Sequence, residues 1–297
     1  MAAFRPERTQ RTRSTYGVPV VLMLVCGALL VGGIAAAVAW SGLPFHAVPA
    51  DGPLSVREAA RRFAWYAALL LVGGVAAGIA VAGAGGRLAM RLLAVTGGDH
   101  AQGRITEADE IVGDITAGGT VGFVLFIGIF GGVIAAAIYL AARRLLPPGR
   151  WAGALFGLAL FVVIGTTNDP LRADNTDFDL VGPGWLAVVV FVVLAVIFGL
   201  ALAGIIAKLS AWLPLLTAEP RVLVRYAAPA ALAVIGFLVG GVLALAFLAV
   251  MLLTRWPPIV DAVRSRRAVL AGRVLASGVV LAFTPNAVAT VYDIASR

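Results

Sequence analysis

Lysine, cysteine, histidine and charge are all scarce in this chain of 297 residues: Lys208 is the one lysine among 23 basic side chains, Cys26 the one cysteine, and charged residues make up 13%. Each scarcity excludes something. A single cysteine closes no intrachain disulfide, and Met23-Leu24-Val25 ahead of Cys26 lacks the small residues of a lipoprotein cleavage site. The two histidines, His46 in a Pro-flanked loop and His100 beside Gly97-Gly98-Asp99, stand in no HExxH or paired-ligand spacing. No serine sits in a nucleophile elbow, and no Walker motif is present. Gly83-Ala84-Gly85 has no βαβ context, so it is no dinucleotide fingerprint. The apolar runs carry no Asp or Glu at mid-length, where proton- and sodium-coupled transporters commonly keep one. These absences lean away from an enzyme and imply no cofactor.

What the chain has is apolar length. Hydrophobic residues make up 61% and the mean hydropathy is +0.99, more than one soluble core of this size can hide. Residues 185–207 run without a single charge. About 20 such residues cross the hydrocarbon core as a helix, because in lipid every backbone polar group must be paired within the segment. The expected fold is therefore all-α, a polytopic transmembrane bundle of about seven spans, and the lipid bilayer is its first partner. The net charge of +8 does not point to nucleic acid, since the arginines lie between apolar runs and mark membrane borders. A bias to Ala, Gly, Val and Arg suggests a GC-rich bacterial genome and a plasma-membrane address.

Polar breaks divide the bundle, residues 18–294, into spans at 18–40, 63–86, 119–142, 151–167, 185–207, 227–254 and 274–292, behind a basic tail at 1–17. The sequence Ser55-Val56-Arg57-Glu58 is a capping-box pattern, so the second helix begins before its span. Pro147-Pro148-Gly149 makes a tight turn between the third and fourth spans. The seventh, with Pro285-Asn286 inside, is expected to be kinked or partial. All six tryptophans fall at span ends, as the headgroup preference of indole requires. With seven spans, thirteen basic residues share the amino-terminal side and ten the other, which leans to a cytoplasmic amino terminus.

Two polar loops hold the candidate chemistry. Residues 96–116 carry Asp99, Glu107, Asp109, Glu110 and Asp114, with apolar residues interleaved so that a hairpin turns near Ala108-Asp109. Residues 167–179 add Asp169, Asp174, Asp177 and Asp179. Two spans separate these loops, so they belong on one membrane face and are expected to pack together. Oxygen ligands at this density, with Glu107, Asp109, Glu110, Asp114, Asp169, Asp174, Asp177 and Asp179 as candidates, suit calcium or magnesium, although no twelve-residue loop with its Gly and terminal Glu is present. The alternative is a solvated, salt-bridged surface. Arg87 and Arg91 share one face at the end of the second span, where they would snorkel, hold an anionic ligand or lipid head group, or meet the acidic loop. Arg273 has the same readings, and Asn168 is the polar candidate beside the fourth span.

Gly74/Gly78, Gly128/Gly132, Gly153/Gly157 and Gly236/Gly240 are small-xxx-small pairs, which let helix backbones approach inside a bundle or across a homo-oligomer. The helix end Gly86-Arg87-Leu88-Ala89-Met90-Arg91, the loop Ile105-Thr106-Glu107…Gly113-Asp114-Ile115-Thr116 and the turn Asp177-Phe178…Gly182-Pro183 resemble those of uncharacterised multi-pass membrane proteins of actinobacteria, over roughly spans two to five. That resemblance implies a shared fold and transfers no catalytic residue. The functional expectation is a non-enzymatic membrane component. A small-solute permease using Asn168, Arg87 and the Pro285 kink is the second reading. A polar cavity reaching mid-membrane would favour the permease, and a filled core the component.

Overall fold

The computed structural model describes residues 17–48, 55–168, 170–235, 241–242, 244–246, 248–249, 262 and 265–297. Seven helices organise them: α1 Gly17–Trp40, α2 Val56–Thr96, α3 Ala117–Ala142, α4 Arg150–Gly165, α5 Gly184–Trp212, α6 Pro220–Ile235 and α7 Arg266–Ala295. Among the described residues there is no strand, only an isolated bridge between Ile105 and Ile111. The fold is an all-α bundle. Five helices, α1, α2, α3, α5 and α7, are long and apolar enough to cross a membrane, and α4 is a shorter apolar helix. Residues 236–240, 243, 247 and 250–254 of the expected sixth span, 227–254, lie outside the described residues.

Local sequence sets the helix starts. Ser55 caps α2 by accepting from the Glu58 N–H at 3.3 Å. The expected return bond from Glu58 is replaced by an ion pair with Arg62 at 2.8 Å, because a salt bridge one turn along the helix competes for the same carboxylate. Thr116 caps α3 in the same way, accepting from Gly119. At 41 residues α2 is about 60 Å long, twice the hydrocarbon thickness, so the expected span at 63–86 is only its middle. The seventh segment is neither short nor interrupted: α7 is one helix of 30 residues through Pro285, with the Thr284 hydroxyl donating to the Val280 carbonyl at 2.8 Å beside the proline.

Glycine places the helices. A Cβ on Gly78 in α2 would lie 1.9 Å from the Gly128 carbonyl oxygen of α3, and one on Gly132 would lie 2.2 Å from that of Gly74. Two of the expected glycine pairs therefore meet each other. Gly153 and Gly157 of α4 likewise meet Gly199 and Ala195 of α5. Helices of the same chain thus cover three of the four pairs; Gly236/Gly240 lies outside the described residues. α2 and α3 carry π-helical segments, Gly78–Gly83 and Ile127–Gly131, that touch at this crossing, and α4 ends in a third, Phe161–Gly165. The centre is filled by Ala77, Ala136, Ala201, Leu202 and Ile206, all without exposed surface.

The helices connect two unlike ends. At one, the loops after α2 and α4 meet the carboxyl-terminal turn of α7. At the other, the loops after α1, α3 and α5 meet the start of α7, where Arg273 donates to the Leu145 carbonyl at 3.1 Å. This reverses the direction expected for the last helix. Arg266, Arg267 and Arg273 move to the end that holds the α3–α4 turn, and Arg297 moves to the acidic-loop end. With the four tail arginines counted at the end where α1 starts, the acidic-loop end has nine basic residues and the opposite end twelve. Arg255 and Arg264 lie outside the described residues. The thirteen-to-ten count behind a cytoplasmic amino terminus therefore no longer holds.

Candidate functional site

The acidic end is a built cap. Residues 103–112 form the expected hairpin: Gly103 N–H donates to the Val112 carbonyl, Val112 N–H to Arg104, and Thr106 N–H to Glu110, all within 2.9 Å. Asp109 turns it with φ of 57°, a left-handed conformation that Asp tolerates better than most residues. The second loop closes on it. Glu107 accepts from the Thr176 N–H at 2.9 Å and from the Thr176 hydroxyl at 3.2 Å, and its other oxygen pairs with Arg172. In return the Glu107 N–H donates to Asp177 Oδ1 at 2.9 Å. The Thr176 N–H, reinforced by Arg172 and the Thr176 hydroxyl, holds the Glu107 carboxyl below the usual carboxylate range against a smaller opposing effect of desolvation.

Apolar side chains anchor the cap to the bundle. Phe178 and Leu171 are buried with Leu93, Phe161, Ala187 and Ile294, and Ala101 and Val112 pack on Ala94 and Val181. The two loops pack together as expected, joined by the Glu107 and Asp177 carboxylates, while Phe178 anchors the second loop to the bundle. Leu171 is fully buried and carries equal weight.

Arg87 and Arg91 stitch this cap to α2 and α3 by neutral partners. Arg91 donates to the Gly113 carbonyl at 2.7 Å, and Arg87 Nε donates to the buried Thr120 hydroxyl at 3.2 Å. Neither pairs with a carboxylate among the described residues; Glu107 and Asp174 instead face Arg172, and Asp179 and Asp293 face Arg297. Arg297 gathers four oxygens: Asp293 at 2.6 Å, Asp179 at 3.2 Å, and the carbonyls of Ala173 and Asn175. Its charge sits next to Asp293 one helical turn back, a spacing visible in the sequence, but its contacts with the 173–179 loop follow from the direction of α7.

The remaining candidates are scattered. Asn168 is exposed and donates to the Thr167 hydroxyl, and Arg273 is at the opposite end. Asp174 pairs with Arg172, Asp179 with Arg297, and Asp114 accepts from the Ile115 N–H. Among the described residues no three His, Cys, Asp or Glu side chains converge as a metal cage. Asp169 lies outside them. No family model, curated protein or solved structure matches the chain. The arrangement has to be interpreted from its own chemistry.

Ser210 donates to the Ala207 carbonyl and accepts from the backbone N–H of His46, while Cys26 is buried against α2 and α3. A cleft of about 470 Å³ between α4 and α7 is lined mainly by apolar side chains, Phe161, Val162, Val288 and Val291 among them, with Thr284 and Tyr292 as its polar members.

Proposed function

We propose that this chain is a non-enzymatic, multi-pass component of the bacterial plasma membrane, whose polar cap and lipid-facing wall organise what lies beside it. The observation that carries this reading is the filled centre: helix backbones meet glycine to carbonyl across α2–α3 and α4–α5, with Ala and Leu between them. The permease reading loses support at the same place. Arg87 is bound to Thr120, Asn168 is exposed, and no contact among the described residues joins them to Pro285. The α4–α7 cleft is mainly apolar; of its polar members, the Thr284 hydroxyl is spent on the Val280 carbonyl, which leaves Tyr292.

Charge favours one orientation. Nine of the fifteen carboxylates lie at the cap, and only Glu58 and Glu219 lie among the described residues of the arginine-rich end. Because arginine and lysine collect on the cytoplasmic side, the arginine-rich end is proposed to face the cytoplasm and the cap the exterior. Osmotic-swelling measurements on proteoliposomes test the functional choice. Swelling in small neutral solutes or amino acids should match protein-free liposomes, and saturable uptake of any of them would restore the permease.

A further inference from the structure

At the arginine-rich end several guanidinium groups are held by partners within the chain. Arg62 is held by Glu58 and by the Val48 carbonyl, Arg143 by the Tyr66 hydroxyl and the face of Phe45, Arg225 by Trp212, and Arg273 by Leu145. Arg57 and Arg61 are set apart by the cavity they line together. Arg57 has no hydrogen-bond partner among the described residues. Arg61 spends only Nε, on the Leu216 carbonyl, which fixes its position and leaves both terminal nitrogens available. The two stand four residues apart on one face of α2, beside a cavity of about 290 Å³ lined by Ser55, Arg57, Glu58, Arg61 and Leu215. The Glu58 carboxylate in its wall is taken by Arg62, so two cations remain to define the charge of the cavity.

We propose that this cavity holds the phosphate of an anionic phospholipid, with Arg57 and Arg61 as its ligands. Guanidinium matches a phosphate with paired N–H donors, and Arg61 is already oriented for it. Leu215 supplies an apolar wall where the glycerol and first methylenes begin, and Trp212, close to it in the chain and exposed, is a residue of the type that marks the headgroup level. Free phosphate would gain nothing from that wall. The inference requires this end of the bundle to lie in the bilayer interface, and it is independent of whether the chain conducts a solute.

Native mass spectrometry of the full chain in detergent, titrated with phosphatidylglycerol or phosphatidylcholine, tests it. Phosphatidylglycerol should be retained in preference. Arg57→Gln with Arg61→Gln should weaken it about 25-fold, at about fivefold for each arginine, while Arg144→Gln with Arg150→Gln at the exposed α3–α4 turn should change it less than about twofold. Leu215→Trp fills the cavity without altering charge and should weaken binding several-fold, which decides the matter if the double variant does not fold. Equal losses from the two double variants, equal retention of the two lipids, or displacement of phosphatidylglycerol by millimolar inorganic phosphate would each overturn the proposal.

Discussion

Single side chains decide how firmly the cap sits on the bundle. Arg91 is bonded to a backbone carbonyl that has no other partner in the cap, so Arg91→Ala should destabilise by about 1–3 kcal/mol, whereas Arg150→Ala, exposed at the far turn, should stay within about 0.5 kcal/mol. Melting temperatures in one detergent compare them directly; equal small shifts would reduce Arg91 to a surface charge. Glu107 gives the cap a pH dependence. Its folded-state carboxyl titrates below the ordinary value of 4.5, so its contribution is fully present above that pH and is lost as pH falls through the lower folded value. Hydrogen exchange of residues 103–112 should quicken as pH drops below about 4.5, after correction for the intrinsic rate, and Glu107→Gln should exchange faster at neutral pH with a flatter profile. An unchanged profile in the variant would show that Glu107 does not couple the loops. The meeting of these loops was legible in the sequence, because two spans between them return the chain to the same face. The partners of Arg87 and Arg91 were not, because a carbonyl or a threonine hydroxyl carries no sequence signal of being an arginine acceptor.

Helix contacts follow the same division. The pairing Gly74/Gly78 with Gly128/Gly132 is visible as motif in each helix, since only a missing side chain lets backbones touch. Which pair meets which depends on topology, and the π segments at the crossing had no signal beyond glycine itself. Gly78→Ala would place a methyl 1.9 Å from the Gly128 oxygen and should cost about 1–3 kcal/mol through forced separation of α2 and α3. Gly122→Ala, with nothing within 4 Å, should be neutral or stabilising. Thermal unfolding followed by tryptophan fluorescence separates them, and a neutral Gly78→Ala would contradict the close crossing. The direction of α7 was hidden for a different reason: hydropathy gives a helix its length, not its sense. The contact of Arg273 with Leu145, the burial of Ile294 with Leu171 and Phe178, and the clasp of Arg297 on the cap fix it.

At the scale of the whole molecule, the bundle separates charge. Carboxylates gather at the cap and arginines at the opposite end, with an interior of Ala, Gly and Leu between them that leaves little room for a solute. The composition made an all-α membrane fold legible from the start; the polarity of its two ends emerged only once the described arginines had positions. The account therefore rests most heavily on these ends lying across the bilayer from each other with the arginines inside. Thiol labelling of intact cells carrying Cys26→Ala with either Thr176→Cys at the cap or Thr217→Cys at the arginine-rich end tests this in one measurement. An impermeant maleimide should modify Thr176→Cys from outside and reach Thr217→Cys only after the membrane is opened. Labelling of both from outside would contradict the spanning bundle, and labelling of Thr217→Cys alone would invert it.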